Sequence, residues 1–94
     1  MVANVHFRLY VAGNAPNSQK AVMNLRAFCD SHVAECYEIE IVDLFDEPQR
    51  ALSERVLLTP MLAVTVGGKT RRIAGDLSET SVLIDVIGGG AGRS

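Results

Sequence analysis

Ninety-four residues, 48% of them apolar, suffice for one domain with its own core and no need of metal or disulfide staples. Eleven acidic against nine basic residues leave a formal charge of -2, which excludes the broad basic face that nucleic-acid binding demands. No apolar run approaches a bilayer span, and Met1-Val2-Ala3-Asn4 lacks the order of a secretion signal, so no membrane association and a cytoplasmic location are expected.

In Val5 to Val11, Val5, Phe7, Leu9 and Val11 alternate with His6, Arg8 and Tyr10, the two-residue period of a strand. A loop follows, Gly13-Asn14-Ala15-Pro16-Asn17-Ser18, in which Asn14, Asn17 and Ser18 are all suited to cap a helix. From Ser18 to Val33 the apolar residues Ala21, Val22, Leu25, Phe28, Cys29 and Val33 fall on one helical stripe. Tyr37 to Leu44 predicts a second strand, with Tyr37, Ile39 and Ile41 opposite Glu38, Glu40 and Val42. Asp46-Glu47-Pro48 predicts a capped helix start, with Ala51, Leu52, Val56 and Leu58 on the inner side.

Met61 to Val66 is almost wholly apolar, as in a strand covered on both faces. Gly67-Gly68 suits a two-residue hairpin turn, because glycine tolerates positive φ, and Lys69 to Ala74 returns as a short strand. Asp76 or Ser78 is expected to cap a last helix facing inward through Leu77, Val82, Leu83, Val86 and Ile87. Residues 1–87 thus form the domain, and the glycine-rich run 88–94 reads as a flexible tail.

The order β-α-β-α-β-β-α implies a mixed four-stranded sheet with helices on both faces, a thioredoxin-like α/β arrangement. In that fold the strand–turn–helix junction carries the redox cysteines, and a cis proline precedes the third strand. Thr59-Pro60 stands where that proline belongs, and cis is expected on this analogy. The redox position, however, reads Asn14-Ala15-Pro16-Asn17. Thiol–disulfide exchange needs a thiolate, and an amide cannot form one.

Other chemistries fare no better. Cys29 and Cys36 fit no C-x-x-C or metal spacing, and Cys29 reads as a small core hydrophobe. Gly68-Lys69-Thr70 resembles the end of a phosphate loop, but Ala63 occupies the position of its first glycine and a strand follows instead of a helix. His6 and His32 share no catalytic or metal constellation, and Glu38 with Glu40 reads as a solvated strand face. Arg71 and Arg72, adjacent on a strand, point to opposite faces and form no single clamp. One alternative keeps thiol chemistry: Ser18 or Tyr10 activating a bound thiol such as glutathione.

The segments 9-LYVAGNAPNS-18, 41-IVDLFDEPQ-49, 57-LLTPMLAV-64 and 71-RRIAGDLS-78 together resemble the KaiB family of circadian-clock proteins, over roughly Val5 to Ile87. The sensor domain of the clock-associated histidine kinase is similar but lacks the arginine-pair run in this form. The resemblance implies a non-enzymatic adaptor without a cofactor, which binds KaiC, a hexameric ATPase ring, and shifts its phosphorylation state. It also implies KaiA-like or histidine-kinase partners, and a dimer or tetramer with a second fold in which the C-terminal half rearranges. The ring-facing residues it implies are Pro48, Gln49, Arg71, Arg72 and Asp76, with Glu38 and Glu40 nearer a second partner. Gly13, Asn14, Pro16 and Asn17 become a structural turn. The short Gly67-Gly68-Lys69 hairpin, where many members carry a proline-rich loop, favours the thioredoxin-like form.

Overall fold

A computed structural model describes residues 5–32 and 37–89, so Val33, Cys36 and the final five tail positions lie outside the described residues. Strands β1 (Val5–Val11), β2 (Tyr37–Asp43), β3 (Met61–Val66) and β4 (Lys69–Ala74) form one sheet in the order β2-β1-β3-β4. β1 runs parallel to β2 and antiparallel to β3, and β3 runs antiparallel to β4. Helices α1 (Pro16–His32), α2 (Gln49–Ser53) and α3 (Thr80–Gly89) complete the expected thioredoxin-like order.

The two faces of the sheet differ because the pleat sorts alternate residues to opposite sides. On one face Phe7, Leu9, Leu62 and Val64 pack against Ala21, Leu25 and Cys29 of α1 and Leu83 of α3. Burying each of the larger side chains contributes on the order of 2 kcal/mol. The other face has a smaller core of Tyr10, Val42, Val56 and Ala63. Among the described residues only the five-residue α2 lies there, and it has no fully buried residue of its own. That side therefore keeps much of its strand surface open, including Glu38 and the outer end of β4.

Several boundaries depart from the sequence pattern. α1 begins at Pro16, two residues before Ser18, with proline in the first turn where its missing N–H is harmless. Leu52 and Leu58, expected inside, are 86% and 61% exposed, because α2 ends before a second turn can bring them down onto the sheet. Nor does a carboxylate cap α2: the residue before its first turn is Pro48, which has no hydroxyl or carboxylate to offer. α3 starts at Thr80, beyond both proposed caps, and runs to Gly89, so Gly88 and Gly89 belong to the helix instead of the tail. Val82, expected inward, is 38% exposed.

The loop after β1 is tied from a distance. The carboxylate of Asp43, at the end of β2, accepts the Gly13 N–H at 3.0 Å and the Phe45 N–H at 2.9 Å. Ser18 is buried, and its Oγ accepts the Ala12 N–H at 3.1 Å. Ser18 thus closes the strand end instead of capping the helix. Gly13 sits at φ +57°, and a Cβ there would lie 2.7 Å from the Phe45 ring. That ring is exposed and can swing aside, so the backbone conformation dominates the cost. Gly13→Ala should lower unfolding free energy by about 1–2 kcal/mol and Gly13→Asn by less, as read by urea denaturation; equal stability of Gly13→Ala and wild type would refute the assignment.

Candidate functional site

The redox position of the fold is the first place to look, and it holds no sulfur. Asn14 lies in the turn into α1, Pro16 and Asn17 are the first two residues of that helix, and all three are exposed. Thr59-Pro60 is cis, with Pro60 buried at the start of β3 and its carbonyl accepting the Gly75 N–H at 3.0 Å. Cys29 is fully buried, and burial pushes its thiol up to about 11, with Asp30 adding to the effect. A thiol so placed is neither accessible nor ionised near neutral pH. Among the described residues, no three His, Cys, Asp or Glu side chains are grouped so as to hold a metal ion.

The open face of the sheet is built differently. The strand register sets His6 beside Glu38 and Arg8 beside Glu40, so alternation lines up imidazole and guanidinium on β1 against carboxylates on β2. Arg8 Nε donates to Glu40 Oε1 at 2.8 Å, and the two His6 nitrogens lie 3.4 and 3.5 Å from Glu38 and Glu40. From α2, Arg50 reaches down to Glu40 at 3.6 Å and along the chain to the flanking Glu47 at 3.4 Å and Glu54 at 2.6 Å. The Tyr10 hydroxyl donates to the same Glu54 carboxylate, which also lies 3.5 Å from Arg8.

These contacts shift the ionisation of the network consistently. Hydrogen bonding from Arg8 holds the Glu40 carboxyl below its ordinary range, and hydrogen bonding from Arg50 does the same for Glu54. Burial, reinforced by the bond to Glu54, pushes the Tyr10 phenol up.

Arg72 fastens the edge of this surface. Its guanidinium donates to the Arg55 carbonyl at 2.8 Å and the Glu54 carbonyl at 2.5 Å. Those are orphan acceptors just beyond the end of α2, where Arg55 adopts φ +55°. The same guanidinium carbon lies 5.9 Å from the centre of the Tyr10 ring, within cation–π range. Between Arg72 and Arg8, under the end of α2, opens a cleft of about 430 Å³.

The structure therefore brings together some of the residues singled out in the sequence and separates others. Glu38, Glu40 and Arg72 share the open face, and Pro48 and Gln49 are exposed at the start of the helix above it. Arg71 pairs with Val64 and so lies on the opposite face, exposed and without a hydrogen bond or ion pair among the described residues. Asp76 stands apart in the β4–α3 loop. Its carboxylate accepts the Ser78 N–H at 3.1 Å, and its carbonyl accepts from Asn24 at 2.8 Å. Hydrogen bonding from the Ser78 side chain, and then from that N–H, holds the carboxyl below its usual range. Arg8, Asp43, Arg50 and Glu54 were not singled out by sequence. The i, i+3 and i, i+4 spacing of Glu47, Arg50 and Glu54 was the one available signal.

Comparison with known proteins agrees with this architecture. The KaiB domain profile matches residues 8–87. Circadian clock protein KaiB3 of Synechocystis sp. is 36% identical over 77 residues, covering 82% of this chain and 76% of the relative. The circadian clock oscillator protein KaiB of Prochlorococcus marinus MIT 9312 is 40% identical over 72 residues, covering 77% and 69%. Among solved structures, the N-terminal domain of Synechococcus elongatus SasA superposes with a TM-score of 0.73 at 19% identity, covering 90% of this chain and 84% of that one. Chloroplastic thioredoxin z superposes at 0.78 with 13% identity, covering 95% and 80%. At those identities the structures establish the fold alone.

The depressed carboxyls carry a signed pH dependence. Stability from Glu40 and Glu54 is fully present above their unfolded value of about 4.3 and is lost as pH falls from there through their lower folded values. Glu54→Gln should therefore melt below wild type at pH 7, with the gap closing by about pH 3. A gap unchanged between those two pH values, measured by thermal denaturation, would show that the Glu54 charge contributes nothing.

Proposed function

The chain belongs to the KaiB family, and from that premise we propose that it is a non-catalytic clock or signalling adaptor that binds a KaiC-type hexameric ATPase and modulates its phosphorylation state. The observation that carries this reading is the family match across residues 8–87 on a thioredoxin-like scaffold whose redox turn contains no thiol. Binding, and not bond-making, is then what its surface offers.

The local chemistry supports the same reading against the thiol-enzyme alternative. A hydroxyl that activates a bound thiol must face the ligand with a free lone pair or proton. Ser18 is 2% exposed and already accepts the Ala12 N–H, while Tyr10 is 1% exposed and its hydroxyl is committed to Glu54. By contrast, the α2 region presents Leu52, Leu57 and Leu58 at 86%, 90% and 61% exposure beside Pro48 and Gln49. Apolar side chains concentrated on one short segment are what a protein interface buries.

In this proposal Pro48 and Gln49 contact the ring, and Arg71 and Asp76 contribute from the β4–α3 side. Arg72 contributes from beneath α2, whose end its guanidinium also holds in place. Glu38 and Glu40, on the outer strand β2, serve a second partner of the KaiA or histidine-kinase kind. Affinity capture on a KaiC-type ring, with and without ATP, tests the reading: wild type should be retained, and Arg71→Glu should weaken retention by about tenfold with an unchanged fold. A chain that ignores every such ring yet binds glutathione saturably, with binding removed by Ser18→Ala, would overturn it.

A further inference from the structure

The cleft under α2 is more basic than the chain around it. Three guanidiniums, Arg8, Arg55 and Arg72, line it against the single carboxylate of Glu54. That carboxylate is spent: Tyr10 and Arg50 bond its two oxygens. Arg8 is likewise committed, through Nε, to Glu40. Arg72 is matched only by neutral carbonyls, and the Arg55 guanidinium makes no hydrogen bond or ion pair among the described residues. Two cations therefore face one small cavity with no anion assigned to them.

The cavity is also prepared for an oxyanion in geometry. Two carbonyls and the Tyr10 ring hold the Arg72 fork in a fixed plane, so little side-chain freedom remains to be lost on binding. Thr65 and Thr70 share one hydrogen bond at 2.7 Å in the cleft wall, which leaves one hydroxyl proton to donate. Planar guanidinium forks match a carboxylate with two parallel bonds. A space of about 430 Å³ takes one side chain and its water. In sequence the cleft residues Ser53 to Arg55 are flanked by Leu52 and Leu57, both almost fully exposed. A free anion would leave those leucines in water, whereas a protein segment covers them as it docks.

We propose that this cleft is the socket for an aspartate or glutamate side chain presented by the protein partner, a detail that rests on the adaptor reading above. The Arg72 and Arg55 guanidiniums bind the carboxylate, and the exposed leucines bury the apolar neighbours of that acidic residue. Affinity then owes part of its strength to charge, so it weakens with added salt.

Titrating a KaiC-type ring with wild type, Arg55→Lys and Arg55→Glu tests it, with backbone NMR spectra confirming the fold of each variant. Arg55→Glu should weaken binding at least about tenfold, Arg55→Lys by clearly less, and the salt dependence should be shallower in Arg55→Glu. Equal affinities for wild type and Arg55→Glu would overturn the socket and leave the adaptor reading standing. If wild type binds no ring, the adaptor reading fails by itself, and the socket is decided on the free chain with N-acetyl-glutamate amide as probe. Saturable shifts of the Arg55 and Arg72 Nε–H signals, with the Arg72 shift abolished in Arg55→Glu, support it; signals that do not move refute it.

Discussion

Arg72 spans from an edge strand to the carbonyls that end the shortest helix, and much of the proposed binding surface hangs on that bridge. α2 has five residues and no buried side chain, too little to hold itself on the sheet by apolar contact. What anchors it is Val56 just beyond, Arg50 reaching the sheet carboxylate of Glu40, and the guanidinium that satisfies its exit carbonyls. Hydrogen bonds to a charged group contribute roughly 1.5–3 kcal/mol each, and the exposure of Arg72 puts these toward the lower end. The bridge exists only while β4 lies antiparallel to β3, because that pairing sets Arg72 opposite Ala63 on the side of α2.

On the adaptor reading proposed above, the same scaffold serves recognition instead of reaction. Where a redox relative of this fold places two thiols, this chain has amides and a proline, and the surrounding polar groups are occupied in stabilising the turn. Asp43 ties the first loop to the second, and Ser18 closes the end of β1. The opposite investment appears under α2, where charges are arrayed across an open sheet face and leucines are left in water. Exposed apolar side chains cost a monomer solubility, and a partner surface that covers them offsets that cost.

Much of this was legible in the linear pattern, for physical reasons that can be named. Alternation in Val5–Val11 places Phe7 and Leu9 on one face and Arg8 and Tyr10 on the other, as found. Gly67-Gly68 closes the hairpin with φ of +60° and +83°, a conformation glycine tolerates. Long-range polar pairing was not legible. The acceptors for Arg72 are backbone carbonyls, which every residue carries, and Asp43 finds Gly13 from 30 positions away. Leu52 and Leu58 misled because helical periodicity marks an inner side only if the helix lasts long enough to own one. The arginine pair was correctly split between two faces, yet only the register shows that Arg72 holds α2 while Arg71 stays unengaged among the described residues.

The proposed surface depends on the β3–β4 hairpin in solution, since a rearranged C-terminal half of the kind the resemblance implies would take Arg72 away from α2. Backbone NMR at native concentration reads this directly, through nuclear Overhauser contacts between paired strand residues. Cross-strand contacts at Leu62–Ile73, Ala63–Arg72 and Thr65–Thr70, independent of concentration, are the result expected. Their replacement by a rearranged C-terminal half in a dominant tetramer would contradict it.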